Sequence, residues 1–157
     1  MKKSKVLTAT SLVFRLARER RAGKRVVFTN GVYDLLHAGH VTLLEKARSL
    51  GDVLVVGLNT DASVKRLKGP KRPIASQKDR AHLLAALESV SYVTFFNEDT
   101  PYELIEKLKP DVLVKGGDYA QGQIVGNDLV KKVVRIPLVA GRSSSAMIQK
   151  ILKAYGR

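Results

Sequence analysis

Two of the chain's three histidines stand three residues apart in Gly31–His40, GVYDLLHAGH, and Asp34 stands three residues before the first of them. Three chemistries suit such a set. A His-x-x-His pair can ligate a metal, with Asp34 as a third ligand if the chain turns back through a loop. Histidines at a helix start can also simply cap or pack. The third chemistry is a grip on phosphate. Asn30 and Gly31 end an apolar run, and Gly31 lets the backbone come close to a ligand. Gly39 permits a tight entry to a helix whose first turn holds His40. Free N–H groups at a helix start bind anions, and the imidazoles of His37 and His40 add two donors on the same side. Neither G-x-G-x-x-G nor G-x-x-x-x-G-K-[ST] occurs, so this grip is not one of the common nucleotide loops.

Further stretches join small, polar and glycine residues: LNTD at 58–61, KGGDY at 115–119 and AGRSSS at 140–145. The run Lys65–Arg72, KRLKGPKR, holds five basic residues and no acid. Gly69 and Pro70 place it on a loop that closes on an anionic ligand. Lys and Arg number 28 against 14 Asp and Glu, a formal charge of +14, of which residues 1–25 supply +8. Such a balance suggests phosphorylated metabolites, nucleic acid or a membrane surface as partners. The low aromatic content and the absence of an RNA-recognition pattern weigh against a basic nucleic-acid-binding module. There is no cysteine, hence no disulfide framework, thiolate zinc site or cysteine nucleophile. No apolar run approaches membrane-spanning length. Arg15, Arg18 and Glu19 interrupt any signal-peptide core. These features together lead us to expect a cytoplasmic protein with no membrane or nucleic-acid partner.

The elements that must position these residues follow from periodicity. Helical spacing marks SLVFRLARERR, HVTLLEKARSLG, TDASVKRL, SQKDRAHLLAALESV, TPYELIEKLKP and SSSAMIQKILKAY, with Thr60 or Asp61, Ser76 and Thr100 as caps. Short β-branched or wholly apolar runs mark five strands: RVVFTNG, DVLVVGLN, YVTFF, DVLVKGGD and VVRIPLV. Alternating strands and helices imply an α/β fold, a doubly wound parallel five-stranded sheet, Rossmann-like, in a single domain over 1–157 with a basic helical segment at 1–24. In such sheets ligands bind beyond the carboxyl ends of the strands. The four glycine- and polar-rich stretches all fall there and should converge on one cleft.

With the pattern aromatic-Asp-x-x-His-x-Gly-His after the first strand, TNGVYDLLHAGH resembles the signature of the cytidylyltransferase-like nucleotidyltransferases. LNTDASVKRLKGPKRPI, LLAALESVSYV, DTPYELIEKLKPDVLVKGGDY and GRSSSAMIQKI are similar to successive blocks of the adenylyltransferases of ADP-heptose synthesis, and the likeness covers about residues 20–155. In many bacteria that unit is fused behind a sugar kinase, and here the resemblance implies a stand-alone form. Two departures matter. The last block usually reads serine and two threonines where this chain has Ser143, Ser144 and Ser145, which keeps the hydroxyls. The sister glycerol-phosphate cytidylyltransferases carry arginine where Ser91 stands, which argues against that activity. An aminoacyl-tRNA synthetase fragment shares the His-x-Gly-His logic, but the chain is short for one and lacks its lysine-rich loop.

The resemblance implies transfer of AMP from ATP to a heptose 1-phosphate, although these residues leave ATP and CTP undecided. It implies His37, His40 and Lys68 as the catalytic set, with Lys71 and Arg72 in support. Asn30, Gly31, Val32, Tyr33, Gly39, Gly117, Asp118 and Ser143–Ser145 are the further expected nucleotide contacts. Asp34, Asn59, Arg72, Arg80 and Lys115 are the expected contacts to the acceptor. Mg²⁺ is the expected cofactor, held mostly by phosphate and water, with Asp34 a possible ligand, and a homodimer is the expected assembly. His82 is expected to be structural.

Overall fold

The computed structural model describes residues 4–117 and 120–156. Its centre is a parallel sheet of β1 (Val26–Gly31), β2 (Val53–Asn59), β3 (Tyr92–Phe96), β4 (Val112–Gly116) and β5 (Lys132–Ile136), ordered β3-β2-β1-β4-β5. All four strand pairings are parallel. The helices are α1 (Ala9–Arg21), α2 (Ala38–Arg48), α3 (Asp61–Lys68), α4 (Gln77–Ala86), α5 (Tyr102–Leu108) and α6 (Ser144–Tyr155).

The apolar runs of β1 and β2 serve both faces of the sheet, as a two-sided strand requires. Val27, Leu54, Val56 and Leu58 pack with Leu43, Leu44 and Ala47 of α2 and with Ala81 and Leu84 of α4. Val26, Phe28, Val53 and Val55 pack with Leu12 and Leu16 of α1 and with Leu104, Ile105 and Leu108 of α5. The basic first helix is thus part of the domain's second layer. Arg20 donates to the Leu108 and Lys109 carbonyls at 2.6 and 2.7 Å, placing a cation at the end of α5, where the helix dipole favours one.

Several element ends differ from expectation. α5 starts from Pro101 with no side-chain cap, so Thr100 does not cap it. α4 stops at Ala86, short of the expected Val90. β5 stops at Ile136 because Pro137 has no N–H to continue the ladder. α3 continues to Lys68, so Lys65, Arg66 and Lys68 are helical. Gly69, at φ 93°, is the left-handed residue that ends the helix. The expected basic loop therefore shrinks to the short link after Lys68. His82 is exposed on α4 rather than packed. Among the described residues no helix is long and apolar enough to cross a membrane.

The strand order reverses at β1. One chain direction from it leads to β2 and β3, the other to β4 and β5, so the crevice beyond the carboxyl ends of β1 and β4 is the natural ligand position.

Candidate active site

The loop from β1 to α2 carries the histidines. His37 is the N-cap residue of α2 but makes no side-chain cap bond. Its ring instead stacks on that of His40, with centroids 3.8 Å apart and planes 21° apart. The Nδ1 atoms of both rings are buried without a hydrogen-bond partner. A buried polar nitrogen left unpaired is costly, and a ligand that satisfies it gains accordingly. Gly39 keeps the turn tight: a Cβ there would lie 3.0 Å from the His37 ring and 3.3 Å from the Arg142 Cβ.

Both imidazoles are kept neutral. Burial lowers the pKa of His37, and the nearby Arg142 charge lowers it further. His40 is pushed down to about 4, chiefly by burial, then by repulsion from His37 and Lys68. At neutral pH each ring therefore has one N–H to give. Tyr33 backs the pair, its ring centroid 5.0 Å from that of His40. It holds a left-handed φ of 48°. Burial pushes its phenol up to about 12, against the opposing effect of a hydrogen bond with Thr29. It acts as a wall and not as an acid or base.

Two cavities open beyond the strand ends. The smaller, about 250 Å³, is lined by Val32, Tyr33, Asp34, His40, Lys68, Arg72 and Ser143–Ser145. Ser143 caps α6 by accepting from the Ala146 N–H at 3.0 Å, and Ser144 Oγ donates to the Leu35 carbonyl at 3.1 Å. The start of a helix thus faces the histidine loop, as an anion site requires. The larger cavity, about 490 Å³, shares Val32, Tyr33, His40 and Lys68 and adds Asn30, Gly31, Asn59 and Lys115, with Asp99 and Thr100 at its border. Buried Asn59 donates to Ser63 Oγ at 3.0 Å, which fixes its amide. Lys115 donates to Asn30 Oδ1 at 3.0 Å, and burial lowers its pKa.

The structure gives three expected acceptor contacts a different task. Asp34 is buried, and its carboxylate accepts from Arg72 Nε at 2.6 Å, from the Ile74 N–H at 2.8 and 3.0 Å, and from the Ala75 N–H at 2.9 Å. Burial pushes that carboxyl up, but the Ala75 and Ile74 amides and the Arg72 guanidinium outweigh it and hold it below its usual value. So engaged, Asp34 is the anchor of the segment after α3 and has little left for a metal or an acceptor. Arg72 is its partner, although it still lines the smaller cavity. Arg80 lines neither of the two cavities. Its buried guanidinium donates to the Ala75 carbonyl at 3.1 Å and to the Val32 carbonyl and Asp61 Oδ1 at 2.7 Å, binding together the β1 loop, the start of α3 and the segment before α4. Gly117 donates its N–H to the Ile136 carbonyl, and Asp118 lies outside the described residues.

Sequence reasoning passed over Arg142, whose charge acts on His37; it sits in plain view in GRSSS beside the serines that drew attention. It also passed over Asp99, tied to Arg66 at 3.0 Å, which fastens α3 to the loop before α5. Among the described residues no group of three His, Asp or Glu side chains is placed to hold a metal ion.

The Cytidylyltransferase-like family matches residues 28–154. The chain is 57% identical over 156 residues to the bifunctional protein HldE of Syntrophotalea carbinolica, a match that covers 97% of this chain and 32% of that protein. It is 60% identical over 132 residues to the bifunctional protein HldE of Wolinella succinogenes, covering 84% and 28%. The chain thus spans about a third of the length of these curated relatives. Among solved structures, a lipopolysaccharide core biosynthesis protein of Thermoplasma volcanium superposes with a TM-score of 0.64 at 32% identity, covering 74% of this chain and 99% of that one. A pantoate-β-alanine ligase of Francisella tularensis, at 16% identity and a TM-score of 0.60 over 96% of this chain and 80% of its own, shares the fold. With the family match spanning most of the domain and the histidine pair at the switch point of its sheet, the chain belongs to the Cytidylyltransferase-like family.

Proposed function

We propose that the chain transfers AMP from ATP to D-glycero-β-D-manno-heptose 1-phosphate, releasing pyrophosphate and forming ADP-heptose. The observation that carries this reading is the stacked, neutral His37–His40 pair, each ring with an unpartnered buried nitrogen, beside the serine-capped start of α6. The resemblance of the strand-end blocks to the heptose adenylyltransferases supports the choice of acceptor.

The chemistry needs no protein nucleophile. A sugar 1-phosphate has a second pKa of about 6 and is largely dianionic at neutral pH. One of its oxygens attacks the α-phosphorus of ATP in line. The bond from that phosphorus to the bridging oxygen breaks, and pyrophosphate leaves with the electron pair. The protein's work is to position the reactants and to neutralise charge as it develops. His37 and His40 donate to the α- and β-phosphates. The Ser143–Ser145 hydroxyls and the free amides opening α6 hold the β- and γ-phosphates. Lys68, at the end of α3, lines both cavities and so meets the charge where donor and acceptor join.

The donor set fits Mg²⁺ only as an ion carried by phosphate and water, because the Asp34 oxygens are already engaged. Bound in that way, the ion would neutralise phosphate charge. A homodimer is also part of the proposal: α6 buries none of its residues and exposes Met147, Ile151, Leu152 and Tyr155, a face that a second copy would cover.

Pyrophosphate release across a grid of nucleoside triphosphates and phosphorylated acceptors tests the activity. Turnover should require ATP and the heptose 1-phosphate together. Robust turnover with CTP and glycerol 3-phosphate, and none with the expected pair, would overturn it. Sedimentation of the free protein tests the dimer.

A further inference from the structure

Among the described residues, the larger cavity holds a cation with no carboxylate partner. Lys115, at the end of β4, has among the described residues only the neutral Asn30 side chain as a hydrogen-bond partner. The two described carboxylates that border the cleft are both committed elsewhere, Asp34 to Arg72 and Asp99 to Arg66. Burying an ammonium without an anion is costly, and the cost is relieved when an anion arrives. Lys115 lines the larger cavity and not the smaller one, where the serines, Arg72 and the start of α6 gather. Its placement separates it from the triphosphate grip. The rest of the larger cavity offers the amides of Asn30 and Asn59 and the hydroxyls of Thr29 and Thr100, groups suited to a polyhydroxylated molecule. With its Oδ1 taken by Lys115, Asn30 is left with its Nδ2 group to donate.

We propose that Lys115, oriented by Asn30, is the counter-ion for the phosphate of the acceptor sugar and makes the cleft choose a phosphorylated sugar over a neutral one. This rests on the reading of the site as a sugar-phosphate adenylyltransferase and assigns the acceptor phosphate to its own residue. The acceptor phosphate then lies between Lys115 and His40, the side from which its oxygen must reach the α-phosphorus. Among the described residues, the charged and titratable groups around Lys115 are Tyr33, His40 and Lys68 across the cavity, Asp99 at its border and Arg135, its registered neighbour on β5. Lowering by burial brings the loss of the Lys115 charge to a pH below that of a free lysine.

The test compares the wild type with Lys115→Met and Lys115→Arg. Calorimetric titration measures the binding of the heptose 1-phosphate, of the same sugar without phosphate, and of Mg·ATP. Lys115→Met should weaken the sugar phosphate by about 10- to 100-fold, the scale of one hydrogen bond to a charged group. It should leave Mg·ATP and the neutral sugar within about threefold, and retained ATP binding also shows that the variant is folded. In wild-type turnover, kcat/KM for the acceptor should fall on an alkaline limb as Lys115 loses its proton. Lys115→Arg should recover part of the affinity and carry that limb beyond the accessible range. An equal loss of ATP affinity in Lys115→Met, or an alkaline limb unmoved in Lys115→Arg, overturns the assignment while leaving the adenylyltransferase reading intact. A wild-type protein that neither binds nor turns over the sugar phosphate overturns both.

Discussion

Acid should weaken the free protein through His40 in particular. Its imidazole has a pKa of about 4 in the fold against 6.5 when unperturbed. The folded value is depressed, so the unfolded chain binds more protons between these values. Stability is therefore full above about pH 6.5 and is lost as the pH falls toward 4. Because solvent screens part of the half-buried ring, the loss from pH 7 to pH 5 is about 1 kcal/mol, below the full value that the two pKa values alone would give. His37 shifts in the same direction for the same first cause, burial, and adds to it. Urea denaturation at the two pH values reads this directly, with His40→Gln as the control that removes the titrating group. The wild type should lose about 1 kcal/mol more than the variant over that interval. Bound triphosphate should shrink the difference, because phosphate charge favours imidazolium and brings the folded pKa back up. If wild type and His40→Gln lose the same stability between pH 7 and 5, the ring is not held neutral by its burial, and the account of the pair as two neutral donors fails.

The remaining predictions concern the parts around that pair. His37→Ala and His40→Ala should each lower kcat about a hundredfold or more, the usual cost of one lost transition-state donor, while circular dichroism shows an intact fold. Arg80→Met should cost about 2 kcal/mol of stability, since it removes bonds from a charged donor to Ala75, Val32 and Asp61 while Asp61 stays open to water; unchanged unfolding would deny it the bracing role. Trypsin should cut the free protein at Lys68 or Lys71, in the link between α3 and the segment pinned by Asp34, and Mg·ATP should protect both bonds; equal cleavage in the two states would make Lys68 a solvated charge and no more.

The sheet was legible because a strand buried on both faces has to be apolar nearly throughout. VVFTNG and VLVVGLN carry that property with no help from the rest of the chain. The caps were legible at Ser76, and at Thr60 as one of two candidates, where a hydroxyl accepts from Asp79 and Ser63. The Thr100 cap was misread because Pro101 itself takes the N-cap position. The histidines and serines could be singled out in the sequence because each group lies within one short stretch at a strand end. Asp34, Arg72 and Arg80 could not be assigned that way. What each does depends on a partner 38 residues away for Asp34 with Arg72, and 19 and 48 residues away for Arg80 with Asp61 and Val32. Residue type announces a charge, and only the fold says whether that charge is already spent.

On the proposed function, that distinction would let a chain of formal charge +14 make a selective anion site and not merely a sticky surface. Long-range attraction from the whole surface raises the local concentration of any anion and chooses none. Choice needs donors that are fixed, desolvated and unpaired. Around the cleft three of the described acids are matched by arginines: Asp34 with Arg72, Asp61 with Arg80, Asp99 with Arg66. These pairs tie the β1 loop, both ends of α3 and the loop before α5 into one frame. Inside the frame remain the two stacked imidazoles with their unpartnered Nδ1 atoms, the serine-capped start of α6 and Lys115 on Asn30, with exposed Lys68 at the rim. The arginines hold the walls still, and the proposed function gives the imidazoles, hydroxyls and amines to phosphate. Removing a wall arginine should therefore disturb both substrates together, whereas removing one of the free donors should disturb only the phosphate it meets.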